Sequence, residues 1–267
     1  MNFKKIMNIV VIVFSLFLFI TVSKLIAFLF IIGYVAYINL ATIIYLIGNN
    51  KYKKNEKDEA YKYFDKAYKM KGSSVKTKLS CVYFLLLKGE LDEAEKILKQ
   101  LSTEELSSDN EINIKLNTSI IMWKRNNIEE AVKILMELYK KYKTTIIYQN
   151  LGYFLILKKD YAKAMEINLE AYDYNSTNAG ILDNLAMTYY MQGEYDKSLK
   201  VYEKLMIEKP NFPSAYYYYA LTLIKINKNE DALQNLKQAL KCNFTFLSTI
   251  SKEKIEATIT ERESSKK

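Results

Sequence analysis

Histidine is absent from this chain, and its two cysteines, Cys81 and Cys242, stand far apart. The commonest general base and the commonest metal ligand are thereby missing, along with the Ser-His-Asp and Cys-His nucleophile systems. Two isolated thiols give no disulfide framework and suit a reducing compartment. Carboxylates are plentiful, but pairs such as Asp58-Glu59, Asp92-Glu93 and Glu129-Glu130 fall where helices start, and attraction to the amide end of a helix accounts for them. There is no Gly-rich phosphate loop, paired-Cys motif or HExxH helix. The sequence therefore argues for no catalytic residue, no metal and no cofactor: a protein that is not an enzyme. What the residue types do allow is recognition. Asn117, Asn150 and Asn184 recur 33 and 34 residues apart, and a side-chain amide both donates and accepts, so a ladder of three could pair with an extended backbone. The blander reading, that asparagine is simply frequent at one repeated position, carries more weight.

The elements that would position such residues show in the apolar pattern. Residues 6–22 are apolar except for Asn8, Ser15 and Thr21, and residues 25–48 form a second run broken mildly by Tyr34, Tyr37, Asn39 and Thr42. A spanning helix needs about 20 such residues, with a lower limit near 17. A tight transmembrane hairpin over residues 1–48 is expected, with spans at about 6–22 and 25–47. Lys4 and Lys5 precede it, Lys24 stands alone in its turn, and Lys51, Lys53, Lys54 and Lys57 follow. That asymmetry predicts both ends on the cytoplasmic side of the cell membrane. An uncleaved single anchor with a re-entrant segment is the next reading; a cleaved signal at the first run, which would export the domain, comes last, because residues 20–25 offer no small-x-small cleavage site.

The rest of the chain repeats itself. Ala60, Ala94, Ala131, Ala164, Ser198 and Ala232 are separated by 34, 37, 33, 34 and 34 residues. Five positions earlier stand Asn55, Gly89, Asn126, Lys159, Gly193 and Asn227. All but Lys159 are types that enter a left-handed backbone conformation cheaply, as a tight interhelical turn requires. Mostly small residues occupy the place twelve before each anchor: Gly48, Val82, Ser119, Gly152, Ala186 and Ala220. Packing residues follow at four after (Phe64, Leu98, Leu135, Asn168, Tyr202, Leu236) and seven after (Ala67, Leu101, Leu138, Ala171, Leu205, Ala239), with Asn168 the anomaly. The extra residues between the second and third anchors predict a longer polar loop at 101–110.

These marks resemble the tetratricopeptide repeat, a helix-turn-helix of 34 residues. The unit 145–178 carries Tyr148, Leu151, Gly152, Tyr161, Ala164 and Ala171, and the next carries Leu185, Ala186, Tyr189, Gly193, Tyr195, Tyr202 and Pro210. The resemblance covers about residues 41–246, although Lys115 stands where a bulky aromatic is usual. It implies an all-α, right-handed solenoid of about six helix pairs, preceded here by the two-helix hairpin. The first repeat helix, at about 41–54, overlaps the second apolar run, so one continuous helix is expected to leave the bilayer and enter the solenoid. Residues 247–267 are expected to close the chain, with a capping helix over about 246–259 and a frayed basic tail from Glu261.

In that family the first helices of successive units line a concave groove that accepts a peptide or a helix. Carried over by register, the partner-binding residues would be Tyr83, Leu116, Asn117, Ile120, Trp123, Gln149, Asn150, Tyr153, Asp183, Asn184, Met187, Tyr190 and Tyr217, with Leu79, Ile156 and Leu221 beside them. Such an apolar, aromatic lining suits an amphipathic helix or an extended segment with large side chains. Self-association or the protein's own tail could cover the same surface. The expected function is a membrane-anchored scaffold or adaptor for a protein partner; the alternative is an assembly or chaperone-like factor for membrane proteins. The formal net charge of +9 comes from lysines spread over most helices, which reads as a solvated face. Without a basic aromatic stripe, nucleic acid is not an expected partner.

Overall fold

The computed structural model describes residues 3–102 and 107–264. Among these residues there are fifteen helices and no strand. They are α1 (Phe3–Thr21), α2 (Lys24–Ile38), α3 (Leu40–Lys53), α4 (Lys57–Lys69), α5 (Val75–Lys88), α6 (Leu91–Leu101), α7 (Ser108–Lys124) and α8 (Ile128–Lys141). Then follow α9 (Thr145–Leu157), α10 (Tyr161–Tyr174), α11 (Ala179–Met191), α12 (Tyr195–Ile207), α13 (Pro213–Lys225), α14 (Asn229–Ala239) and α15 (Lys252–Ser264). The fold is an all-α solenoid of helix pairs, and the chain divides after Leu85 into two compact units.

The turns within helix pairs are built alike. Asn55, Gly89, Asn126, Lys159, Gly193 and Asn227 all have positive φ, from 61° to 94°. The residue that follows each of them has φ between −79° and −105° and ψ between 62° and 69°, close to an inverse γ-turn. In five of these turns that residue's N–H donates back to a carbonyl of the preceding helix, as from Asn127 to Met122 and from Glu194 to Tyr189. The bond closes the helix end, and the next helix starts at once. Lys159, the sequence exception, adopts the same geometry at φ 66°.

The anchor positions and the packing positions that follow them are buried. Ala60, Ala94, Ala131, Ala164, Ser198 and Ala232 lie in the interior, as do the residues four and seven places after them. Serine is tolerated at 198 because its Oγ bonds the Ala186 carbonyl at 2.9 Å, so no hydroxyl is left unmade.

In the first unit, α1 and α2 form a hairpin. Ser23 caps α2 by accepting from the Leu25 N–H. Phe14 meets Phe30 edge-on at 5.2 Å, and the Tyr34 hydroxyl donates to Asn8 Oδ1 at 2.7 Å. Their outer faces remain apolar and exposed, Ile20 at 79% and Leu25 at 65%. The pair α3–α4 packs through aromatics: Phe64 stacks on Phe84 at 3.9 Å, with Tyr45 and Tyr52 around them. The continuous helix expected here does not form. The Asn39 side-chain amide donates to the Val35 carbonyl at 2.8 Å, ending α2 by local competition with the helix, and α2 and α3 meet at 68°. No single helix among the described residues is long and apolar enough to cross a membrane; by length and composition, only the bent pair α2–α3 taken together is.

In the second unit, α9 packs on α11 and α11 on α13, whereas α8 and α10 each pack against the first helix of the next pair. First helices thus adjoin one another, which puts their faces on the inside of the curve. Two boundaries differ from expectation. Residues 244–251 are not helical and the closing helix begins only at Lys252, because Thr245 and Ser248 bond nearby backbone amides and Ser251 caps α15 through the Lys254 N–H. That helix runs to Ser264, past the expected bound at residue 259; 265–267 lie outside the described residues. Of the expected loop at 101–110, residues 103–106 lie outside the description, and α7 already starts at Ser108.

Candidate protein-binding face

The inner face of the second unit is set by α7, α9, α11 and α13. Ile120, Trp123, Gln149, Asn150, Tyr153 and Tyr190 are partly exposed there, whereas Leu116, Asn117, Ile156, Asp183, Asn184, Met187 and Tyr217 are buried. Leu79 and Tyr83 belong to the first unit, Leu79 buried and Tyr83 47% exposed. The accessible part of the face is aromatic. Trp123 meets Tyr153 edge-on at 6.3 Å, and further along Tyr190 lies 6.0 Å from Tyr218 and 5.7 Å from Tyr195. Rings of this kind supply large contact area at small entropy cost.

The amide nitrogens of the asparagine ladder are taken up within the fold. Asn117 Nδ2 donates to the Asn113 carbonyl and Asn150 Nδ2 to the Ile146 carbonyl, each at 2.8 Å and one turn back. Asn184 Nδ2 donates to the Gln149 carbonyl at 2.7 Å, tying α11 to α9. Of the three amides, only that of Asn184 joins two repeats; the other two bond within their own helices.

Asp183 also turns inward. Its Oδ2 accepts from Ser214 Oγ at 3.0 Å, the Tyr202 hydroxyl lies beside it, and Oδ1 has no hydrogen-bond partner. Burial, only partly opposed by these hydroxyls, pushes the carboxyl up to about 7. Removal from water disfavours the ion more than a nearby pair of neutral hydroxyls, one of them hydrogen-bonded, restores it. Asp183 is therefore an interior acid and not a docking contact. Register transfer could not separate these cases, because a position on a first helix says nothing of how deeply the neighbouring pair covers it.

The residues that sequence reasoning missed lie outside the repeats. The non-helical segment after α14 comes back onto the unit: the Phe246 N–H donates to the Leu87 carbonyl at 3.2 Å. Lys124 Nζ sits 4.1 Å from the Trp123 ring centre and 4.8 Å from that of Phe246, and burial pushes its ammonium down. Burial raises the Tyr153 phenol, against a hydrogen bond with the Thr249 side chain. Apolar spacing alone read this segment as helix, and the hydroxyls of Thr245 and Ser248 were the missed signal. On the outer helices, Glu170 accepts from Tyr139, from Tyr148 at 2.6 Å and from Lys143 at 3.1 Å. Burial alone would raise its carboxyl, but these three donors outweigh burial and hold it at about 2. Among the described residues no group of His, Cys, Asp and Glu is arranged to hold a metal ion.

Comparison with known proteins agrees with this geometry. The tetratricopeptide-repeat family model matches residues 41–74 and 179–212, which are the pairs α3–α4 and α11–α12 in the register derived above. A crystal structure of a tetratricopeptide repeat protein from Parabacteroides merdae superposes with a TM-score of 0.66 at 13% identity, covering 84% of this chain and 85% of that one. A thermophilic protein of the same repeat type from Thermus thermophilus superposes at 0.57 with 14% identity, over 72% of this chain and 100% of the other. At such identities the likeness is one of fold. The photosystem I assembly protein Ycf3 of Prochlorococcus marinus strain MIT 9301 is 31% identical over 114 residues, or 42% of this chain. That of strain MIT 9215 is 33% identical over 90 residues, 33% of this chain and 52% of the relative. The chain spans 66%, just under two thirds, of the length of the first of these relatives.

Proposed function

Because this chain is a protein of the tetratricopeptide-repeat family, we propose that it holds a segment of another protein on the inner face of its second unit, as a membrane-anchored scaffold or adaptor. The observation that carries the reading is the part-exposed aromatic row Trp123, Tyr153 and Tyr190 on α7, α9 and α11, at the place where anchors of a binding surface concentrate energy. The test is capture from detergent-solubilised membranes, comparing wild type with Tyr153→Ala/Tyr190→Ala. One stoichiometric partner, lost in the variant, supports the reading; retention of that partner contradicts it.

The anchor is α1–α2. Its 19 and 15 residues measure about 28 and 22 Å at 1.5 Å per residue, against a hydrocarbon core of about 30 Å. The hairpin enters the bilayer with its exposed apolar faces against lipid, and the bend at Asn39 turns the chain toward the cytoplasmic repeats. Alkaline extraction tests this part: the chain stays with the membrane pellet, and release into the wash contradicts insertion.

A second reading, an assembly factor that engages many clients, is favoured by the likeness to photosystem I assembly proteins. Crosslinking in native membranes separates the two, since an assembly factor yields many unassembled clients and an adaptor one stable complex.

A further inference from the structure

We infer that residues 243–250 are an intramolecular occupant of the inner face, and that the face accepts an extended partner segment of the same chemistry: an aromatic side chain followed three residues later by a hydroxyl. Partner and strap then exclude one another. The inference rests on the reading of this face as protein-binding and specifies what it binds.

The strap is fastened at both ends and loosely held between them. Cys242 is buried where α14 ends, and Ile250 and Ile255 are buried against Tyr217, Leu223 and Leu236. Between these points the chain crosses to the far end of the unit. There the Phe246 N–H donates to the Leu87 carbonyl, a backbone bond that any extended segment could supply. The Phe246 ring lies over the turn at Gly89, where a β-carbon would come within 3.0 Å of it, so the glycine that allows the turn also leaves room for the ring. Lys124 contributes an ammonium between the Phe246 and Trp123 rings, an attraction that asks for an aromatic and no particular one. Tyr153 meets the Thr249 hydroxyl.

Despite these contacts Phe246 stays 43% exposed. At its start the Asn243 N–H donates to Asn211 Oδ1 at 3.3 Å and Phe244 packs on the core around Tyr217, whereas beyond them bonds run within the strap, as from Thr245 N–H to Ser248 Oγ at 3.0 Å. Such sparse attachment belongs to the low-stability end of a fold. A tethered occupant nevertheless faces its site at an effective concentration on the order of millimolar, so a partner must bind well to displace it.

The test uses the full chain in detergent and a peptide of residues 243–251. Phe246→Ala/Thr249→Ala frees the face: acrylamide quenching of Trp123, the chain's only tryptophan, increases, and the peptide binds this variant at least about tenfold more tightly than wild type. Equal affinity for both proteins, or binding to neither, overturns the proposal. Hydrogen exchange on wild type needs no variant. Strap amides are expected to exchange at least about tenfold faster than those of α13 and α14, and equal protection would make the segment part of the cap and overturn the idea. Failure of partner capture would leave these readouts untouched, so the two readings fail separately.

Discussion

The Asn168 carboxamide fills the space that a side chain at position 152 would need: a β-carbon built on Gly152 would lie 1.8 Å from Asn168 Oδ1. Helix α9 thus approaches α10 through a glycine, and the amide of α10 takes the vacated place. Its Nδ2 donates to Thr188 Oγ1 at 3.0 Å, and that hydroxyl donates on to the Asn184 carbonyl at 2.7 Å. The residue that looked out of place among apolar neighbours therefore joins α10 to α11. Gly152→Ala should destabilise by about 1–3 kcal/mol through overpacking. Adding Asn168→Ala should relieve part of that loss, with a coupling of at least about 1 kcal/mol, measured as a double-mutant cycle in urea. Strict additivity would mean the two residues do not share the space.

Lys159 holds a left-handed conformation that Asn or Gly fills in the five equivalent turns. Its strain is on the order of 1 kcal/mol. Lys159→Asn and Lys159→Gly should raise the thermal midpoint by a few degrees for a domain of this size; a lower midpoint for both would show that the lysine side chain supplies something the turn needs.

The buried Asp183 carboxyl sets one pH dependence. Its folded value, about 7, lies above the ordinary aspartate value of 3.8, so the native state binds the extra proton between these limits. Stability from this group is fully present below about 4 and is lost as pH rises through about 7. Asp183→Asn should flatten that fall and leave the protein more stable than wild type at pH 8, as followed by chemical denaturation across pH. An unchanged profile would mean that the carboxyl is solvated.

Glu170 works in the opposite direction. Held at about 2, below the ordinary glutamate value of 4.5, it contributes stability above about 4.5 that disappears as pH falls toward 2. Glu170→Gln should lower the midpoint at neutral pH and remove part of the acid sensitivity. Equal acid midpoints for wild type and variant would contradict the three-donor arrangement.

Repetition made the solenoid legible. A tiny residue every 34 or so positions, with a turn residue five before it, fixed helix pairs whose anchors are all buried, because only one packing hides those positions together. The bend at Asn39 was not legible, since its cause is one amide bonding one carbonyl inside an apolar run. Nor was the inner face, where Asp183 and Tyr153 sit on the same kind of helix and differ only in what the next pair or the strap lays over them. Such differences arise from tertiary cover, which spacing along the chain does not encode.

The proposed holding of another protein on the inner face of the second unit is open to a direct test. A photocrosslinking amino acid placed at Tyr190 on α11, and separately at Leu169, 41% exposed on α10, tests it in native membranes. Adducts from position 190 and none from 169 are predicted; adducts from 169 alone, or equally from both, would contradict it.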